Sequence, residues 1–126
     1  MTLTLAIPFA LGLLLANSHA WAHSDHLVPQ FGGVTAEAGS FQVELVSKGN
    51  RITLYLTEHG VPLEAAGTTG KLSVQSGKSR EEVGLTPLGY QTLSARLKAK
   101  PASGAQVEAI ITPRGRGSAT VRFKLK

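Results

Sequence analysis

The sequence predicts an all-β protein: a small antiparallel β-sandwich of immunoglobulin-like type, with six to seven strands, following a cleaved signal peptide. Three observations carry this expectation. Apolar residues alternate with polar ones in short runs through most of the chain, the period of a strand with one buried face. Turn signals rich in Gly and Pro separate the runs. No stretch offers a convincing apolar stripe at helical spacing. Strands with one apolar face each bury it by packing two sheets together. A closed barrel is the alternative.

The first segment reads as an address. Leu3 to Ala16 is nearly all apolar, and such a run is short of the ~20 residues that a membrane span needs. Its length fits the apolar core of a secretory signal peptide, and Ala20-Trp21-Ala22 supplies a small-x-small cleavage site. Pro8 and the missing polar face argue against a buried helix. No Lys or Arg precedes the run, which leaves a start codon farther upstream open. The expected division is a signal peptide over 1–22, a flexible His-containing leader over 23–30 and a sandwich over 31–126. The exported chain is then periplasmic and carries no transmembrane span.

The strands follow in order. Phe41, Val43 and Leu45 alternate with Gln42 and Glu44. Ile52, Leu54 and Leu56 alternate with Thr53, Tyr55 and Thr57. Leu72 and Val74 flank Ser73, and Leu93, Ala95 and Leu97 flank Ser94 and Arg96. Val107, Ala109 and Ile111 form the next run, and Ala119, Val121, Phe123 and Leu125 the last. Between them lie Lys48-Gly49-Asn50, His59-Gly60-Val61-Pro62, Gly67-Thr68-Thr69-Gly70, Ser76-Gly77-Lys78, Pro87-Leu88-Gly89, Pro101-Ala102-Ser103-Gly104 and Pro113-Arg114-Gly115-Arg116-Gly117, all turn chemistry.

Composition narrows the chemistry. At 126 residues, with 42% hydrophobic and 17% charged, the chain holds one small domain, neither a disordered tail nor a multidomain enzyme. It has no cysteine, which excludes a disulfide scaffold, a thiolate zinc site and a cysteine nucleophile. Beyond Ala22 there is no Met and no Trp, and the histidines are His23, His26 and His59.

Those histidines are the candidate metal ligands. Cleavage after Ala22 makes His23 the amino terminus, so its α-amine and imidazole can close a chelate on one ion. Asp25 and His26 lie within reach in the leader. Amine, imidazole and carboxylate suit Cu(II), Zn(II), Ni(II) or Co(II), and Cu(II) is favoured; the absence of Met and Cys argues against a soft Cu(I) site. Cleavage after Ala20 or after His23 would instead leave a histidine third, an arrangement for square-planar Cu(II) or Ni(II). His59 sits beside Glu58 in a turn after the Leu54–Leu56 strand, where it could complete a site with the leader. The plainer readings are an idle leader and an ordinary polar turn residue.

Other chemistries find little support, and no enzyme is expected. Asp25 is the only aspartate, and a Ser-His-Asp triad would have to combine it with His59 without a nucleophile elbow. Glu81 and Glu82 are adjacent, so on a strand they point to opposite faces. Gly115 and Gly117 belong to a turn, and no phosphate-cradling loop occurs. An oxidase with an amino-terminal copper-binding histidine is disfavoured by the small size and the lack of Trp to stack on sugar. Arg114, Arg116, Arg122, Lys124 and Lys126 cluster late, the last three on one outward face. That face could touch anionic lipid or an acidic partner, but charges that keep an edge strand solvated are the preferred reading. Nucleic acid is not an expected partner.

Several stretches resemble a known family. They are the His-containing leader, Phe31-Gly32-Gly33-Val34, Phe41 to Val46, Ile52 to Pro62, Gly70 to Val74 and Val121-Arg122-Phe123. Together they resemble small uncharacterised periplasmic proteins associated with heavy-metal efflux systems of the resistance-nodulation-division type, and the amino-terminal segments of some efflux adaptor subunits. The resemblance implies a metal-binding or efflux-accessory role, with periplasmic efflux components as partners. His59 matches a family histidine. The family usually has histidine directly before the paired glycines, where this chain has Phe31. A more distant similarity is to periplasmic copper-resistance carriers, whose Pro-Ala-x-Gly segment is absent here. The expected function is a metal-binding accessory protein of heavy-metal resistance. The alternative is a metal-independent sandwich that docks on an efflux adaptor or another envelope partner.

Overall fold

Alternation along the chain becomes a two-layered core in the computed structural model, which describes residues 27–126. The segment 1–22, expected to be a signal peptide, and the expected leader residues His23, Asp25 and His26 lie outside the described residues. The first sheet contains β1 (Val34–Ala38), β2 (Phe41–Lys48), β3 (Arg51–Glu58), the two-residue β4 (Val61–Pro62), β7 (Thr86–Gly89) and β8 (Thr92–Arg96). Its order is β1-β2-β3-β8-β7, with β4 paired to β3. The second sheet contains β5 (Thr69–Ser76), β6 (Ser79–Gly84), β9 (Gln106–Thr112) and β10 (Ala119–Lys124). Its order is β10-β9-β5-β6. Every pairing is antiparallel. The fold is thus the small all-β sandwich that the alternation predicts. No helix among the described residues is long and apolar enough to cross a membrane.

The core lies between the sheets. Val43, Leu45, Ile52, Leu54, Leu56 and Leu93 face it from the first sheet, and Leu72, Val74, Val107, Ala109, Ile111 and Val121 from the second, all at most 3% exposed. Period two places them there: each alternates with a residue on the outer face. The cluster runs from Ala38 to Leu125, so the sandwich closes its core within the described residues.

Ten strands form where six or seven are expected, and for β6 and β7 the reason is identifiable. β6 reads Ser-Arg-Glu-Glu-Val-Gly, with Val83 its one large apolar residue. It is an edge strand, where charge is tolerated and guards against foreign pairing. β7 carries Pro87, which is confined to an edge because it cannot donate to a ladder. The two are joined through Leu85, which is buried and donates its N–H to Gly70 at 2.9 Å. One extended run therefore passes from the second sheet to the first. Gly70 is needed there: a Cβ on it would lie 2.8 Å from the Leu85 side chain and 2.9 Å from the Ile110 carbonyl.

The strand directions give the sandwich two distinct ends. The turns at Gly39-Ser40, His59-Gly60, Tyr90-Gln91 and Pro113–Gly117 share one end, tied together by the Glu58–Arg116 ion pair and by Leu56 N–H donating to the Gln91 carbonyl at 2.9 Å. The turns at Gly49-Asn50 and Gly77-Lys78 and the stretch 97–105 share the other. There Leu97 N–H donates to the Asn50 carbonyl at 2.7 Å and Ala102 N–H to Ser76 Oγ at 2.8 Å.

Candidate functional site

The chain before β1 crosses the outer face of the first sheet, held by one side chain. Glu44 alternates with core residues on β2, so it points outward, where a solvated carboxylate is expected. It is only 6% exposed. Its oxygens accept the backbone N–H groups of Gln30 at 2.9 Å, Phe31 at 2.8 Å and Gly33 at 2.9 Å. Bonds of this charge-assisted kind are about twice as strong as neutral ones. Upstream, Thr35 Oγ1 donates to the Leu27 carbonyl at 2.5 Å. Leu27 and Gln30, at the end of the expected leader, are thus each hydrogen-bonded to the first sheet. Gly33 makes the close approach possible, because a Cβ there would sit 2.2 Å from the Leu45 carbonyl oxygen.

This clamp sets Phe31 over β3. Its ring stacks on Tyr55 with centroids 3.8 Å apart and planes 11° apart. Phe31 then lines a groove of about 590 Å³ with Gln30, Thr57, His59, Pro62 and Gln91. Gln91 is fixed by its Nε2, which donates to the Leu56 carbonyl at 3.2 Å.

His59 is exposed and is one of the residues that line this groove. Its position follows from turn geometry. Glu58 pairs with Val61, leaving a two-residue loop, His59-Gly60, with φ of 51° and 78°. Positive φ at both residues is the type I′ hairpin turn. A left-handed backbone costs a non-glycine residue about 1–2 kcal/mol, although histidine visits it more often than most.

Glu58 is differently engaged. Both terminal nitrogens of Arg116 donate to its carboxylate, Nη2 to Oε1 at 3.0 Å. The hydrogen bond to Arg116 holds the Glu58 carboxyl below its ordinary range, against a smaller opposing effect of burial. The same bond raises Arg116. The structure thus brings His59 and Glu58 together but gives Glu58 a cationic partner. Among the described residues no group of three or more His, Asp or Glu side chains forms a metal-binding cluster. His23, Asp25 and His26 lie outside the described residues, so a site shared with His59 would draw its other ligands from there.

Against protein-family models, curated proteins and solved structures, the chain finds no match.

Glu44 and Gln91 as site residues, and the contacts of Phe31 and Arg116, are what the sequence alone does not reveal. Glu44 looks like any outward strand carboxylate; the one sequence signal near its role is the Gly32-Gly33 pair. Arg116 meets Glu58 across 58 positions of chain, and no local pattern reports that. A second groove, of about 550 Å³, crosses the outer face of the second sheet between Arg80 and Lys124 and has no histidine.

Proposed function

We propose that the protein binds a divalent transition metal, Cu(II) before Zn(II), Ni(II) or Co(II), as a periplasmic accessory of heavy-metal resistance or efflux. His59 supplies one imidazole. His23 supplies an amine and an imidazole, His26 a further imidazole and Asp25 an oxygen. Glu58 takes part only if it leaves Arg116. Imidazole, amine and carboxylate are suitable donors for these ions.

One observation supports this reading above the others. Glu44 ties the chain directly after the leader to the sheet face that ends at His59, and Phe31 and His59 share a groove. His23 lies four residues before Leu27, about 14 Å of extended chain. From Thr35 on β1, where Leu27 is bonded, His59 lies two strand spacings across, about 10 Å, and four residues along β3 from Tyr55, which stands level with Thr35, about 13 Å more, or about 16 Å in a straight line. The ligands on the leader are therefore tethered on the scale of the distance they must cover.

The test is a Cu(II) titration of residues 23–126 against a competing chelator. One-to-one, submicromolar binding that weakens on His23→Ala and on His59→Asn supports the proposal. Weak binding, indifferent to both changes, removes it.

The second reading is a metal-independent docking module. It is favoured by exposed Val61, Leu88 and Tyr90 at the His59 end, each at least 59% exposed. Capture of an envelope partner that survives chelators and His-to-Ala changes would favour this reading.

A further inference from the structure

We propose that the end of the sandwich opposite His59 docks on anionic lipid headgroups. Four stretches of chain, far apart in sequence, deliver their cations to this end. Lys48 and Arg51 flank the β2–β3 turn, and Arg51 lies opposite Arg96 in the ladder. Lys78 and Arg80 come from the β5–β6 turn. Lys98 and Lys100 follow β8 beside them, since Lys98 N–H donates to Glu81 at 2.9 Å. Lys124 and Lys126 close the chain at the same end, where Leu125 accepts an N–H from Gly104 at 2.9 Å. Nine of the 13 Lys and Arg residues thus converge there, and all nine are exposed.

Neutralising charge is scarce at this end. Two carboxylates stand near it among the described residues: Glu81, whose two oxygens both accept the Lys98 N–H, and Glu82, which is shared between Lys71 and Arg80. Of the nine cations, only Arg80 has an ion pair among the described residues, to Glu82 at 3.5 Å. The late basic cluster of the sequence is also divided: Arg116 pairs with Glu58 at the His59 end, while Lys124 and Lys126 join the opposite one.

The chemistry favours a lipid surface over an acidic peptide. Six of the nine are lysines, compact hydrated charges without the planar fork that reads carboxylates in pairs. They are spread over four turns and ends instead of lining one cleft. The exposed large apolar residues Val61, Leu88 and Tyr90 lie at the other end, so no aromatic or aliphatic anchor of a peptide hot spot accompanies the charges. Dispersed cations without an apolar anchor are what a field of anionic headgroups attracts. Strands of eight residues separate the two ends by about 27 Å, several screening lengths of about 8 Å. Docking would hold the His59 groove facing away from the membrane.

The experiment is cosedimentation of residues 23–126, which contain the whole sandwich and its core, with vesicles in the presence of a chelator. The chelator makes the outcome independent of any metal site. Binding is expected on vesicles of phosphatidylglycerol and phosphatidylcholine in equal parts, with loss at high salt and none on phosphatidylcholine alone. The combined change Lys78→Glu, Lys98→Glu and Lys100→Glu is expected to weaken it roughly a hundredfold. The control pair Lys71→Glu and Arg114→Glu, away from this end, should leave most of it. Equal binding to neutral vesicles, an equal loss in the control, or retention on polyglutamate with none on either vesicle would overturn the proposal.

Discussion

The Phe31 ring lies on the Tyr55 ring with centroids 3.8 Å apart, and Phe31 lines the same groove as His59. A ligand placed at position 31 would therefore face the same space as the His59 imidazole. Phe31→His is expected to add a ligand and to tighten Cu(II) binding about tenfold, measured by chelator competition. Unchanged affinity would show that positions 31 and 59 do not share an ion.

Glu44 is expected to be worth far more than an ordinary strand carboxylate. Its removal leaves the N–H groups of Gln30, Phe31 and Gly33 without their acceptor. A fully buried orphaned donor costs about 1–3 kcal/mol; these three bonds are part-buried, so water recovers part of that. Glu44→Ala should destabilise the fold by about 2–4 kcal/mol in urea denaturation, and Glu44→Gln, which keeps one acceptor oxygen, by less. A loss below about 1 kcal/mol would mean that the clamp is not needed by the sandwich.

His59→Asn should separate stability from binding. Asn-Gly is the preferred pair for this two-residue turn, and asparagine tolerates the left-handed backbone that His59 holds at φ 51°. Thermal stability is expected to rise by about 0.5–1 kcal/mol while Cu(II) binding falls. If stability and binding fall together, His59 serves the turn and the binding loss says nothing about ligation.

The Glu58–Arg116 pair predicts a sign for the pH dependence. Arg116 lowers the folded-state pKa of Glu58, so the folded state holds that proton less tightly than the unfolded chain. The contribution is present above the ordinary carboxylate range and is lost as the pH falls through the depressed folded value. The urea midpoint of Glu58→Gln should lie slightly below that of the parent at neutral pH and meet it in acid. A gap that widened on acidification would contradict the pairing. Because the pair is partly solvated, salt should narrow the gap.

The architecture and much of the site's local geometry were legible in the chain because they depend on nearest neighbours. Alternation at Phe41–Leu45, Ile52–Leu56, Val107–Ile111 and Val121–Leu125 determines which side chains meet the core, since a strand sends successive residues to opposite faces. Gly60 after His59 marks the hairpin turn for a similarly local reason. Edge strands β6 and β7 carry little sequence signal because pairing on one side needs little apolar patterning, and Pro87 reads as a turn until its neighbour is known.

What only the tertiary structure decided is the environment of the outward residues. Alternation says that Glu44 faces away from the core; whether water or another piece of chain lies there depends on where residues 27–33 run. The partnership of Glu58 with Arg116 and the gathering of Lys48, Lys78, Lys98 and Lys126 at one end likewise depend on strand order. Charges interact through space, so their effect is set by distances that a linear sequence of alternating residues does not encode.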